Sequence, residues 1–132
     1  MTPPAGATVY EKELAAFWLD EQGILHAKAK NARRTLDIQK RTYDFILELS
    51  GGKKVCLLTD LSSGGSTHDD ETREYMAREM PRVFKAMAII SNSAFGRLAT
   101  NTFMVTKGLP VPVRSFESEE EARKWLKQFL DK

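Results

Sequence analysis

The spacing of hydrophobic and polar positions changes several times along this chain, and each change marks an element. From Ile24 to Lys30, Ile24, His26 and Lys28 fall on one side and Leu25, Ala27 and Ala29 on the other. That is the period-two spacing of a half-covered antiparallel strand. An extended segment over Glu13–Leu19 precedes it, and the intervening Asp20-Glu21-Gln22-Gly23 supplies the glycine that a short hairpin loop needs. The period then lengthens. Ile38, Thr42, Phe45, Ile46 and Leu49 make an apolar stripe over a helix at Leu36–Leu49, with Thr35 placed to cap its start, Asp37 suited to its dipole and Gly51-Gly52 closing its end. Val55–Leu61 is apolar without alternation, as in a strand buried on both faces.

A loop of small residues follows, and then a helix from about Asp69 to Glu79 behind Ser66 and Thr67 as its cap, which Pro81 ends or interrupts. Ala86–Ser91 reads as a second central strand. Ser91-Asn92-Ser93 can cap a helix over Ala94–Lys107, whose Phe95, Leu98, Ala99, Thr102, Phe103 and Thr106 face one way and which Gly108 terminates. A short strand is expected at Val113–Phe116, with Pro112 disfavouring a central position further upstream. The capping box Ser118-x-x-Glu121 opens a last helix that buries Ala122, Trp125, Leu126, Phe129 and Leu130. The order β-β-α-β-α-β-α-β-α predicts one α/β domain over residues 1–132, a mostly parallel sheet with right-handed crossovers and an antiparallel N-terminal hairpin. The proline and glycine content of residues 1–8 predicts a frayed start.

Bulk composition narrows the partners. With 20 basic and 18 acidic residues the net charge is only +2, which argues against nucleic acid. No run approaches the ~18 apolar residues of a transmembrane helix, and the first residues lack the basic and apolar regions of a secretory signal. Cys56, the one cysteine, cannot make an internal disulfide. A reducing, cytoplasmic setting is expected.

Open α/β sheets place their chemistry outside the carboxyl ends of their strands. Here that location holds Asp60, Ser62, Ser63, Ser66, Thr67, His68 and Asp69, the candidate site for a partner or a phosphate switch. Each also has a structural duty. Asp60 can accept from loop amides and fix the turn, while the hydroxyls of Ser66 and Thr67 can cap the helix. His68 beside Asp69 and Asp70 suggests a metal or a tuned base, but a metal needs three or four converging ligands and the only other imidazole, His26, is on the hairpin. No metal or cofactor is therefore expected. The Gly-x-Ser-x-Gly elbow and the phosphate-binding Gly-Lys-Ser/Thr are absent, and Cys56 lies mid-strand as an inert thiol. No catalytic residue, and no enzyme, is expected. Lys28, Lys30, Arg33, Arg34, Lys40 and Arg41 read as a solvated face, with docking to an acidic partner or an anionic membrane surface as the alternative. Met104 and Val105, near Leu109 and Val111, exceed one apolar stripe and suit either a dimer surface or the rim of an apolar pocket.

Four segments together carry a resemblance: Leu47-Glu-Leu-Ser-Gly-Gly-Lys-Lys, Leu58-Thr-Asp-Leu, Arg73-Glu-Tyr and Lys85-Ala-Met-Ala-Ile-Ile, with Arg114-Ser-Phe-Glu-Ser-Glu-Glu-Glu-Ala-Arg-Lys-Trp-Leu after them. From about Gly23 onward the chain resembles the small bacterial STAS-like (SpoIIAA-like) proteins. The resemblance implies a SpoIIAA-like single domain. It also implies kinship with anti-sigma-factor antagonists, which bind a kinase and are switched by phosphorylation, and with lipid-carrying CRAL-TRIO domains. In the antagonists the switching serine caps the helix after the strand end. Asp60-Leu61-Ser62 matches that strand end, whereas Ser66-Thr67-His68-Asp69 departs from the Ser-Ser-Gly of the helix start. A phosphate on Ser66 or Thr67 would meet helix amides but also Asp69, Asp70 and Glu71. The expected function is a non-catalytic cytoplasmic regulatory or protein-interaction module, phospho-switched through Ser62–Asp70, with an unidentified protein partner or a second copy as a homodimer. The alternative is a small apolar-ligand carrier with its cavity between the sheet and the helix at 94–107.

Overall fold

The computed structural model describes residues 1–62, 64–94, 96–98, 101 and 110–131. A two-residue strand β1 (Tyr10–Glu11) pairs antiparallel with β2 (Ala15–Leu19), which pairs antiparallel with β3 (Ile24–Ala29) from Ala15↔Ala29 to Leu19↔Leu25. Asp20 and Gly23 make the hairpin turn. Gly23 takes φ +83°, and one oxygen of the Asp20 carboxylate accepts from the backbone N–H groups of Gln22 and Ile24 at 2.9 and 3.0 Å, closing the turn from inside. β5 (Val55–Asp60), β7 (Phe84–Ile90) and β8 (Val113–Phe116) continue the sheet in parallel, giving the order β1-β2-β3-β5-β7-β8. β5 is central, as its unbroken apolar run predicts, with β3 and β7 on either side.

Helix α1 (Leu36–Leu49) begins as expected, with the Thr35 hydroxyl accepting from Ile38 N at 3.2 Å, and ends at Gly51, whose φ is +69°. Its buried line is rotated from the expected stripe: Gln39, Tyr43 and Ile46 are buried, while Ile38, Thr42, Phe45 and Leu49 are half-buried. Gln39 turns inward because its amide oxygen accepts from Arg34. Helix α2 (Asp70–Val83) runs through Pro81 rather than ending there. The last turn survives because Phe84 N–H bonds back to the Met80 carbonyl and Val83 is fully buried. Helix α3 (Glu119–Leu126) is capped by Ser118, whose hydroxyl accepts from Glu121 N at 3.3 Å, and tightens into a 3-10 turn over Lys127–Phe129.

The sheet carries a core on each face. Phe17, Leu25, Ala27 and Leu57 pack with Tyr43 and Ile46 of α1 and Tyr75 and Val83 of α2. Ile24, Cys56, Leu58, Ala86 and Ala88 pack with Ala122 and Leu126 of α3. β3 is therefore buried on both faces from Ile24 to Ala27, not half-covered. His26, expected on an open face, is 1% exposed beneath α3 and stacked on Trp18 with ring centroids 5.2 Å apart.

Ser66–His68 form a strand, β6, which pairs parallel with β4 (Ala32–Arg34) in a separate two-stranded sheet. Ser66 and Thr67 thus do not cap α2. Asp69 does, its carboxylate accepting from Thr72 N at 2.9 Å. Asp69→Ala is expected to lower the melting temperature, and Asp69→Asn, which keeps an accepting oxygen, to retain most of it. Thermal denaturation of the two variants beside the parent measures the difference.

Residues 94, 96–98 and 101 are helical. Phe95, Ala99, Thr102, Phe103, Met104, Val105, Thr106, Gly108 and Leu109, named above for the helix over 94–107 and its apolar surplus, lie outside the described residues, as does Ser63.

Candidate functional site

Asp60 ends β5 and is 3% exposed. One oxygen accepts from the Ser62 backbone at 2.9 Å and from its hydroxyl at 2.6 Å, and the other lies 3.6 Å from the Met1 amino group. Burial pushes this carboxyl up, but the Ser62 hydrogen bonds and the Met1 ammonium outweigh it and hold it below its ordinary value. It fixes the loop, as its place in the sequence suggests. Gly64 follows where a Cβ would come within 3.0 Å of the Asn31 backbone nitrogen, so only glycine lets the loop lie against the β3–β4 connection.

Beyond the loop the candidates separate. Ser62 and Thr67 are exposed. Ser66 turns toward Arg34, whose Nε donates to its hydroxyl oxygen at 2.9 Å. His68, opposite Arg34 in the β4–β6 register, keeps Nδ1 buried without a hydrogen-bond partner. Burial, and then the Arg73 and Arg34 cations, hold the imidazole below its ordinary value against the pull of Asp69. It is neutral at neutral pH. Among the described residues no three His, Cys, Asp or Glu side chains converge as metal ligands. Cys56 is buried on the α3 face, where burial pushes its thiol up.

Ser66 and His68 border an apolar cavity of about 380 Å³ that the period-two and helical patterns do not reveal. Its described walls are Phe17, Ala27, Leu57, Met87 and Ile89 from the sheet, Tyr43 and Ile46 from α1 and Met76 from α2. It lies on the α1 and α2 face, so its described lining differs from the expected location beside residues 94–107. Arg34 and Tyr43 join Ser66 and His68 as its polar edge. Burial pushes the Tyr43 hydroxyl up to about 12 despite the Arg34 cation, so it stays protonated. Two larger depressions elsewhere are open and edged largely by charged side chains such as Arg97, Arg114, Asp20 and Lys127.

Arg34, Gln39 and Tyr43 are the site residues that sequence reasoning missed. Arg34 belongs in sequence to a basic cluster that the structure disperses. Lys30 pairs with Glu11 at 2.6 Å, Arg41 with Glu13 and Asp37 at 3.0 and 3.2 Å, and Lys40 lies over the Tyr75 ring. The one available signal was Gln39, a polar residue inside an otherwise apolar helix face.

Among the described residues, a mostly parallel six-stranded sheet with an antiparallel hairpin, α1 and α2 on one face and α3 on the other, defines a SpoIIAA-like α/β fold. The same architecture is found in an uncharacterised protein of the DUF3478 family from Shewanella loihica PV-4, whose crystal structure has a SpoIIAA-like fold. The TM-score is 0.58 over 96% of this chain and 98% of that one, at 17% sequence identity, a likeness of fold alone. Residues 17–130 match DUF7793, a domain of unknown function, and the chain belongs to that family. No curated protein matches the sequence. No helix among the described residues is long and apolar enough to cross a membrane.

Proposed function

We propose that this chain is a non-catalytic binding module whose cavity beneath β6 takes a small apolar ligand. The observation that carries the reading is the cavity itself. It is set between a sheet face and two helices, walled by aliphatic and aromatic side chains, and edged by a few polar groups, which is the usual make-up of a small-molecule site. A non-catalytic role is supported by the Ser66 hydroxyl, which faces a guanidinium rather than a base. Leu61, Gly65, Ser66 and His68 border the cavity, so its occupancy would be felt in a loop and strand open to a protein partner.

Phospho-switching of a protein contact is the second reading. It is favoured by the exposure of Ser62 and Thr67, each a chain neighbour of a residue that borders the cavity, where a phosphate would change the surface charge without entering the core. Native mass spectrometry of untagged protein from its own source, followed by a denatured spectrum, separates the two. A non-covalent adduct lost on denaturation supports the ligand reading. A phosphate surviving denaturation and mapped to Ser62 or Thr67 supports the switch. A clean mass in both spectra counts against each, and the native charge series reads monomer against homodimer.

A further inference from the structure

Arg34 is a cation drawn partly out of water without an acid beside it. Its Nε donates to Ser66 and its Nη1 to Gln39, both neutral. No carboxylate within ion-pair distance of it is found among the described residues, whereas the half-buried Arg123 holds both Asp20 and Glu119. An arginine kept from water normally carries a partner, because the desolvation of an unpaired charge goes uncompensated. Gln39, 0% exposed, is spent on holding this guanidinium, and its own Nε2 has no hydrogen-bond partner. Across the strand pair, the buried Nδ1 of His68 is also without a hydrogen bond. Arg34 and His68 line the same cavity, and the rest of its wall is mainly apolar. The polar edge thus lacks one thing, a small acceptor.

We infer that the cavity takes an amphiphile whose carboxylate lies against Arg34 and His68 and whose aliphatic tail runs along Leu57, Met87 and Ile89. This rests on the apolar-ligand reading above and adds the class of head group. A guanidinium meets a carboxylate through paired N–H donors, and a neutral His68 can add one more from Nδ1. So small a set of donors suits a two-oxygen head better than a phosphate with three. Size limits the tail: about 380 Å³ at about 30 Å³ per water-sized group holds on the order of a dozen heavy atoms. A medium-chain acid fits.

The experiment compares octanoate with 1-octanol, equal in carbon count and different in head group, by calorimetric titration of the whole chain at pH 7 in a buffer without carboxylates. The two probes are also followed by NMR shifts at Leu57, Met87 and Ile89. Octanoate is expected to bind about tenfold or more tightly than the alcohol, the effect of one charge-assisted hydrogen-bonded head, with shifts at those three residues. Arg34→Met should erase that advantage. The wild-type comparison needs no variant and stands even if Arg34→Met unfolds. Equal affinities, or octanoate shifts away from the cavity, would overturn the head-group assignment alone. Failure of both probes to bind would overturn the cavity reading with it.

Discussion

Asp20→Ala is expected to destabilise the fold by about 3–5 kcal/mol, the cost of removing one partner from a buried charged cluster. Asp20 does two jobs with two oxygens. Oδ1 holds the hairpin turn through Gln22 and Ile24. Oδ2 lies 2.8 Å from Nε2 of His26 and accepts from Nη1 of Arg123 at 2.9 Å. Nη2 of Arg123 lies 3.1 Å from that same Nε2, so Asp20, His26 and Arg123 meet in one three-way cluster. The cluster therefore ties hairpin to C-terminal helix between residues 103 positions apart in the chain. Alanine leaves His26, 1% exposed, without the carboxylate beside its Nε2 and Arg123 with one of its two carboxylates, that of Glu119.

Burial pushes the Asp20 carboxyl up, but the His26 hydrogen bond, the Ile24 amide and the charges of His26 and Arg123 outweigh it, and the group sits below its ordinary value. A depressed folded-state value means that the contribution is fully present above the unfolded carboxyl value of about 3.9 and is lost as pH falls through the folded one. Urea denaturation of the parent and Asp20→Ala should show the full gap at pH 6 and a narrowing one below about pH 4. A gap independent of pH would mean that the carboxylate's charge contributes nothing.

Leu58→Ala is the second large effect, at about 2–5 kcal/mol. Leu58 is 0% exposed at the centre of β5, and its side chain packs among Ile24, Ala86, Ala88 and Leu126 on the α3 face. Alanine there loses the transfer energy of the missing atoms and leaves a void between a sheet and a helix that cannot collapse freely. Leu61, three residues on and 42% exposed, provides the control: Leu61→Ala should stay within about 0.5 kcal/mol. The measurement is the urea midpoint at unchanged slope. A loss at Leu58 no greater than that at Leu61 would overturn the assignment of this face as tightly packed core.

The central strands, the hairpin and the helix ends at Thr35, Gly51 and Ser118 were legible because each depends on residues within a few positions of one another. An apolar run, a glycine at positive φ and a hydroxyl three residues before a free amide are local facts. Local reasoning erred at Ser66 and Thr67 for the same reason. They sit before an acidic turn and look like caps, yet Asp69 is nearer the helix and takes that duty, while a partner strand far back in the chain draws Ser66–His68 into β6. Period-two alternation makes His26 look half-covered because it cannot report a helix arriving from the C-terminus to cover the polar side.

The apolar periods and turn residues of this chain are thus sufficient for its α/β class, its element order and the location of Asp60 at a strand end, since those follow from short-range sterics and from which side of each element avoids water. The cavity and its polar edge are of another kind. Arg34 and Ser66 are 32 positions apart, and β4 and β6 are three residues each, too short to leave a period. One basic residue in a run of six became an inward cation without an acid only because that strand pair formed over α1, and long-range pairing of this kind leaves no mark in local sequence.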